Sequence, residues 1–276
     1  MEYRQVVGSY TAKGGFENEA DIVLKFDNYK NDIEAQQWLQ IMGYDYEKIK
    51  ELTVTQIPPR ISKDTAISFG VTETNLEETT TFKKADIQVR LEIIIDNIYH
   101  IENLSLKKKA DIGAGFNQVD KRPIDKYKSF WNIPDSICDT LKLYTGEILP
   151  PKGFKLKDQR RMYLNEMDKK NVDALLKFFS DNKVIIFNDV LRGRGSFSAD
   201  WMLVTRKDND KIDWILKDIN YVCNFFSKGN VEVTKRGNLK VGRMTIQRKG
   251  GTPDPKSLQF KINPLDLFES ITNEEK

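Results

Sequence analysis

The sequence predicts an α/β (α+β) protein in which a central mixed β-sheet is flanked by helices. Three observations carry this. Apolar residues near the N-terminus recur at helical spacing, residues 86–107 read as a β-hairpin, and strand-like runs alternate with helical segments through the second half.

The elements follow in order. Residues 14–52 read as helical: Gly14-Gly15 precede Phe16, Ile22, Val23 and Phe26, a second helix covers Ile33–Met42, and a third Tyr46–Leu52. Residues 58–84 open with Pro58-Pro59 and contain the polar run Thr72–Thr81, which reads as an extended or mobile insertion. From Ala85 to Ile95, and more loosely from Ile98 to Leu106, apolar and polar residues alternate around Asp96-Asn97. Two such runs joined by a two-residue turn predict a hairpin with Ile95 opposite Ile98, Gln88 opposite Ser105, and Asp86 opposite Lys107. One face then carries Ile87, Val89, Leu91, Ile93 and Ile95 toward a core. Asn117–Trp131, Pro134–Tyr144, Lys157–Met167 and Lys170–Ser180 read as helices, and Val184–Phe187 as a short buried strand. Ala199–Thr205 is a strand candidate, followed by Ile212–Leu216 and a helix to Phe226. Val231–Thr234, Leu239–Lys249 and Leu258–Ile262 read as strands. Neither a repeat nor a linker divides the sequence, so one domain over 1–276 is expected.

Composition narrows the function. An apolar fraction of 39% allows a sizeable core, while 31% charged residues and a mean hydropathy of −0.55 predict a soluble chain. No membrane-length apolar run or secretory leader is visible, and the two cysteines, Cys138 and Cys223, read as buried thiols of a reducing compartment; the cytoplasm is the expectation. A net charge of +3 does not by itself announce nucleic-acid binding, but residues 235–261 form a basic stripe with Asp254 its only acid. His100, the single histidine, lies on the more apolar hairpin face and reads as structural. Zinc sites built from several His and Cys are excluded, as are phosphate-binding and dinucleotide-binding glycine loops.

The hairpin's open end gathers Asp86, Gln88, Ser105 and Lys107. A carboxylate there can hold a hard cation such as Mg²⁺ through oxygen, and a lysine beside it can orient water or offset charge on a phosphate. The pattern points to a metal-dependent phosphodiesterase; its bland counterpart is a surface ion pair worth ~0–1 kcal/mol.

Motifs across the chain raise the first reading. Gly8-Ser9, Thr11-Ala12-Lys13, Gly15-Phe16, Asn18-Glu19, Glu34-Ala35-Gln36, Trp38-Leu39 and Met42-Gly43 come first. Gly115-Phe116-Asn117-Gln118, Asp120-Lys121, Thr145-Gly146-Glu147, Lys157-Asp158, Arg160-Arg161-Met162 and Leu191-Arg192-Gly193-Arg194-Gly195 follow. Thr245-Ile246-Gln247-Arg248-Lys249-Gly250-Gly251 and Leu258-Gln259-Phe260-Lys261-Ile262 close the set. In this order they resemble the HinP-type restriction endonucleases, cutters of GCGC within the PD-(D/E)XK nuclease superfamily. The family pattern is Ser-Asp, 18 residues, then Gln-x-Lys; here 18 residues separate Asp86 from Ser105, and Lys107 follows two positions on. Ala85 stands where the family has Ser, and Ser105 where it has Gln.

The resemblance implies a type II restriction endonuclease fold and a Mg²⁺-dependent cut in double-stranded DNA at a CpG-centred palindrome, GCGC first and CCGG second. Asp86, the Leu106 carbonyl and Ser105 are the expected metal ligands, with Gln88 a candidate helper, and Lys107 the catalytic lysine. Residues 230–262 are the expected DNA-contacting strands, a cognate DNA methyltransferase the genetic partner, and a monomer or weak homodimer the state. A nicking or repair nuclease of the same superfamily, and a DNA-binding protein that has lost catalysis, stay open as alternatives.

Single residues carry paired readings. Glu19 is either a helix glutamate beside the metal or a first-turn glutamate favoured by the helix dipole. Phe116, with Asn117, Gln118 and Lys121 after it, is either a wedge between base steps or a loop aromatic on the core. Arg192 and Arg194, spaced by glycines that let backbone approach, suit phosphate or guanine, or simply a surface turn. Gln247, Arg248, Lys249 and Lys261 suit a groove-entering hairpin, although alternation forbids all of them from facing DNA. Asp200–Lys207 mimics a second nuclease string but lacks the spacing, and reads as a structural strand.

Overall fold

The computed structural model describes residues 17–93, 99–109, 115–153, 155–208, 211–250 and 256–269. Two compact units emerge: Met1–Ala114 with Arg192–Val222 and Pro264–Lys276, and Gly115–Leu191 with Cys223–Asn263.

The first unit is built on a five-stranded mixed sheet of β1 (Ile49–Gln56), β2 (Ile87–Ile93), β3 (Tyr99–Lys109), β5 (Trp201–Asp208) and β6 (Lys211–Asp218), adjacent in that order. Only β3 and β5 pair in parallel; the other neighbours are antiparallel. Helix α1 (17–27) and helix α2 (Ile33–Ile41) bury Ile22, Phe26, Trp38 and Leu39 with Ile87, Val89, Leu104 and Leu203. Asp32 starts α2 by accepting the Ala35 amide at 2.9 Å.

The expected hairpin forms, but its register is shifted by two. Ile87 lies opposite Leu104 and Gln88 opposite Asn103. A slip of two keeps every side chain on its face, which is why Ile87 and Val89 still enter the core. It also brings Asp86 level with Ser105 instead of Lys107: the Asp86 amide donates to the Leu104 carbonyl at 2.8 Å. The turn at Asp96-Asn97 and the Ile95–Ile98 pair lie outside the described residues, as do Gly14 to Phe16.

The third expected helix is instead a 3-10 turn (Tyr46–Lys48) followed by β1, whose Leu52 and Val54 alternate with polar residues as an edge strand requires. The insertion over 58–84 is not extended. Helix α3 (Lys63–Ser68) and helix α4 (Leu76–Phe82) fold within it, and Ala66, Val71 and Leu76 join Ile57, Ala85 and Phe197 in a small apolar cluster. Ser62 caps α3 through the Thr65 amide.

The second unit holds a separate antiparallel sheet, ordered β4 (Asn117–Arg122), β10 (Leu258–Ile262), β9 (Met244–Arg248), β8 (Leu239–Val241) and β7 (Val231–Val233). Its helices are α5 (Ile124–Trp131), α6 (Asp135–Thr145), α7 (Lys169–Asp181) and α8 (Lys183–Phe187). Helix α9 (Ile219–Ser227) carries the chain from the first unit into the second.

Four readings change here. Asn117–Arg122 is strand, and Pro123 opens the helix expected from Asn117, because proline's fixed φ suits a helix start. The expected helix over Lys157–Met167 reduces to a 3-10 turn, Leu164–Glu166. Val184–Phe187 is helical and not a buried strand: Ile186 and Phe187 are buried while Val184 and Ile185 are exposed, and a four-residue apolar run fits a helix turn as well as a strand. Leu239–Lys249 breaks into β8 and β9 at Gly242, whose φ is +55° and whose added Cβ would lie 2.5 Å from the Phe226 carbonyl oxygen. Both cysteines are buried and neither forms a disulfide, and no helix among the described residues is long and apolar enough to cross a membrane.

Candidate functional site

Asp86 precedes β2, and Ser105 and Lys107 lie on β3, so the three meet where the hairpin opens. Asp86 is held by its backbone on both sides: its amide donates to Leu104, and its carbonyl accepts from Ile57 at 2.9 Å. The Asp86 Oδ2 atom accepts the Leu106 amide at 2.6 Å and the Ser105 hydroxyl at 3.3 Å. The Lys107 ammonium donates to Ser105 Oγ at 2.7 Å and to the Leu106 carbonyl at 2.9 Å, and stands 3.6 Å from Asp86 Oδ2. One cation thus gathers a carboxylate, a hydroxyl and a carbonyl oxygen.

Glu19, on α1, brings a second carboxylate. Gln56 Nε2, at the end of β1, donates to Glu19 Oε2 at 2.6 Å. Burial raises the Glu19 carboxyl above its ordinary value; the Gln56 bond opposes this, the Asp86 charge adds to it, and Lys83 and Lys107 work against it. The Lys83 ammonium is lowered, chiefly by burial, while Asp86 and Glu19 pull it back up. The site therefore sets Glu19 and Asp86 against Lys83 and Lys107. Sequence reading missed Lys83 and Gln56. Neither belongs to a motif, and Gln56 ends a strand whose first half, Ile49–Leu52, reads as helix from sequence and whose second half carries no expected element.

The donor chemistry fits a hard divalent cation: carboxylate, hydroxyl and carbonyl oxygens, with no sulfur or imidazole. No cluster of three or more His, Cys, Asp or Glu forms among the described residues. Oxygen donors like those of Asp86, Ser105 and Leu106 are the kind that Mg²⁺ takes, together with waters and a substrate phosphate.

Gln88 does not join the site. It is buried, donating to Asn103 Oδ1 at 3.0 Å and accepting from Arg90 Nε at 3.1 Å. Asp200 is structural, as expected: its Oδ2 accepts the Asn103 amide at 3.0 Å. His100 packs edge-on against Tyr44. Arg194 stacks 4.3 Å over the Phe82 ring and lies 3.7 Å from Glu78. The glycines beside it serve α4: Gly193 has φ +80°, and a Cβ there would lie 2.0 Å from the Phe82 carbonyl oxygen. Arg192 lies in the electrostatic reach of Asp200.

In the second unit a bulge sorts the remaining residues. Lys121 pairs with Gln259, but Gln118 pairs with Lys261, because the register shifts between Phe260 and Lys261. Gln247 lies opposite Gln259. Opposed residues share a face, so Gln118, Lys121, Gln247, Gln259 and Lys261 face the same way, with Lys249 two residues beyond Gln247. Gln259 Nε2 donates to Gln118 Oε1 at 2.6 Å. The Lys249 and Lys261 ammonium groups are both lowered, first by burial, then by Lys121 and Lys249 respectively. Arg248 falls on the opposite face and pairs with Asp158 at 3.6 Å. Phe116 is 51% exposed just before β4, and Asn117 begins that strand.

A family model described as R.HinP1I restriction endonuclease matches residues 76–268. The chain belongs to that family. This restriction endonuclease is therefore a nuclease of type II that acts on DNA and binds it. The match contains Asp86, Ser105, Lys107 and every candidate DNA-contacting residue, whereas Glu19 and Gln56 precede it. No curated protein matches the chain.

Proposed function

We propose that this restriction endonuclease hydrolyses double-stranded DNA phosphodiesters with Mg²⁺ at a short CpG-centred palindrome, GCGC, with CCGG second. The observation that carries this is the convergence of Asp86, Ser105, the Leu106 carbonyl and Lys107 at one end of the β2–β3 hairpin. Asp86, the Leu106 carbonyl and Ser105 would hold Mg²⁺, with Glu19 a further carboxylate of the site. Bound there, the ion supplies a Lewis acid for the phosphoryl oxygen and an acidified water.

The chain's own groups do the rest. Lys107, which holds Ser105 Oγ and the Leu106 carbonyl, would turn its ammonium toward the attacking water or the scissile phosphate. Lys83 adds a second positive charge to the same site, where a pentacoordinate phosphate gains negative charge. Phe116 inserts at the central CpG step, and Gln118 reads base edges beside it. The bulged face bearing Lys121, Lys249 and Lys261 tracks the duplex: three mutually repelling ammonium groups are relieved by a polyanion. Arg192 supports phosphate contact, while Arg194 and Arg248 act through their packed partners. The endonuclease works in the cytoplasm as a monomer or weak homodimer, beside a DNA methyltransferase that protects the same sequence.

Digestion of plasmid DNA with and without Mg²⁺, followed by sequencing of the ends, tests this. The expected result is cutting of both strands only with Mg²⁺, at GCGC. Cutting at CCGG would replace the site, single-strand nicks would favour the repair-type reading, and binding without any cleavage would favour a catalytically impaired protein.

A further inference from the structure

Gln56 is the one side chain of this centre that neither motif nor charge would have selected. Its strand lies directly beside Asp86: Gln56 pairs with Ile87, and the next amide, that of Ile57, donates to the Asp86 carbonyl at 2.9 Å. Its amide N–H reaches across to α1 and holds Glu19 Oε2 at 2.6 Å. Glu19 needs that hold. It sits on the first turn of the described helix, half-buried, facing the like charge of Asp86. A carboxylate in that position swings away from its neighbour unless a donor fixes its orientation. A neutral amide does this without adding a cation that would compete for the same oxygens, as Lys107 does.

We propose that Gln56 is a positioning residue of the cation site: it locks Glu19 toward Asp86, so that two carboxylates converge where Ser105 offers only a short hydroxyl arm. This rests on the reading of Glu19 and Asp86 as the cation-holding pair. Partners that orient carboxylate ligands from outside the coordination sphere change metal affinity about 10–100-fold. Because Gln56 is exposed, an effect at the low end, about tenfold, is expected here.

The experiment measures Mn²⁺ binding to the full-length protein by electron paramagnetic resonance, for wild type, Gln56→Met, Glu19→Gln and the double variant. Methionine keeps the length of the side chain and removes the donor. The expected result is about tenfold weaker Mn²⁺ binding in Gln56→Met, with no further loss when Gln56→Met is added to Glu19→Gln. The Mg²⁺ concentration at half-maximal plasmid cleavage rises in parallel. Wild-type affinity in Gln56→Met, or an equal loss in the Glu19→Gln background, overturns the positioning role while the cation site stands. No Mn²⁺ binding by the wild type overturns the cation site itself and the positioning role with it.

Discussion

The Lys107 ammonium lies 2.9 Å from the carbonyl oxygen of Leu106, the residue just before it in the chain. A cation held as proposed by Asp86, Ser105 and the Leu106 carbonyl would compete with Lys107 for the same oxygens, and its binding would free the ammonium to turn toward a phosphate.

Asp86→Asn and Lys107→Ala each remove one side of that exchange. Both should lower the cleavage rate by at least ~10²-fold, the scale of a lost electrostatic contact to the transition state. Binding of a cognate duplex in Ca²⁺ should stay close to wild type. Single-turnover cleavage and fluorescence anisotropy read the two quantities, and near-normal cutting by either variant removes these residues from the centre.

Ser105→Gln restores the family residue. The longer arm presents an amide oxygen where Ser105 now accepts from Lys107 at 2.7 Å. A Mg²⁺ titration of cleavage should shift to lower concentration, by up to about tenfold on the scale of a neighbouring ligand's effect. Complete inactivity would mean that the pocket around residue 105 cannot house the amide.

Ala85→Ser restores the other family residue and should do harm. Ala85 is fully buried in an apolar cluster with Ile57, Val71, Leu76 and Phe197, and its amide donates to the Phe197 carbonyl at 3.0 Å. An added hydroxyl without a partner costs about 1–3 kcal/mol, roughly 2–4 °C in Tm per kcal/mol. Calorimetry should show the drop, with no gain in cleavage.

Lys83→Met separates stability from function. Burial holds the Lys83 pKa below its ordinary 10.5, so the folded chain binds this proton less readily than the unfolded one. The charged form therefore costs stability at neutral pH, and that cost fades as pH rises through the folded value toward 10.5. Lys83→Met should raise Tm at pH 7, the gain shrinking in alkali, while cleavage falls. A lower Tm at pH 7, or undiminished cleavage, would refute the assignment.

Phe116→Ala tests recognition. A wedge matters only on the cognate site, so cognate affinity should fall far more than affinity for random DNA, which is held through phosphates. Gln118→Ala should relax base choice by ~1–3 kcal/mol. Lys261→Ala should weaken both affinities alike and flatten their salt dependence. Equal loss of both affinities in Phe116→Ala would return that ring to a purely structural role.

The hairpin was legible because period-two alternation is a local property and survives an even slip of register; the faces held while the partners moved by two, that of Gln88 from Ser105 to Asn103 and that of Asp86 from Lys107 to Ser105. Gln247 and Arg248 alternate across β9 as period two requires, but the shared face of Gln118 and Lys121, three residues apart, could not be read from sequence, because it depends on a bulge between two strands far apart in the chain. Val184–Phe187 misled for a different reason: four apolar residues carry no period. The centre's outer parts, Gln56 and Lys83, depend on side chains meeting across elements, which no spacing encodes.

β3, which carries Ser105 and Lys107, is flanked by strands of unequal provenance. β2 lies just ahead of it, but β5 arrives 97 residues later, as the separation of Asn103 from Asp200 records. Most of the second unit is translated between them. A ribosome-bound chain must therefore wait until β5, Trp201–Asp208 of 276 residues, has been made before β3 is paired on both edges. A DNA-cutting enzyme whose centre is completed so late has made most of its chain before it can threaten the genome that encodes it.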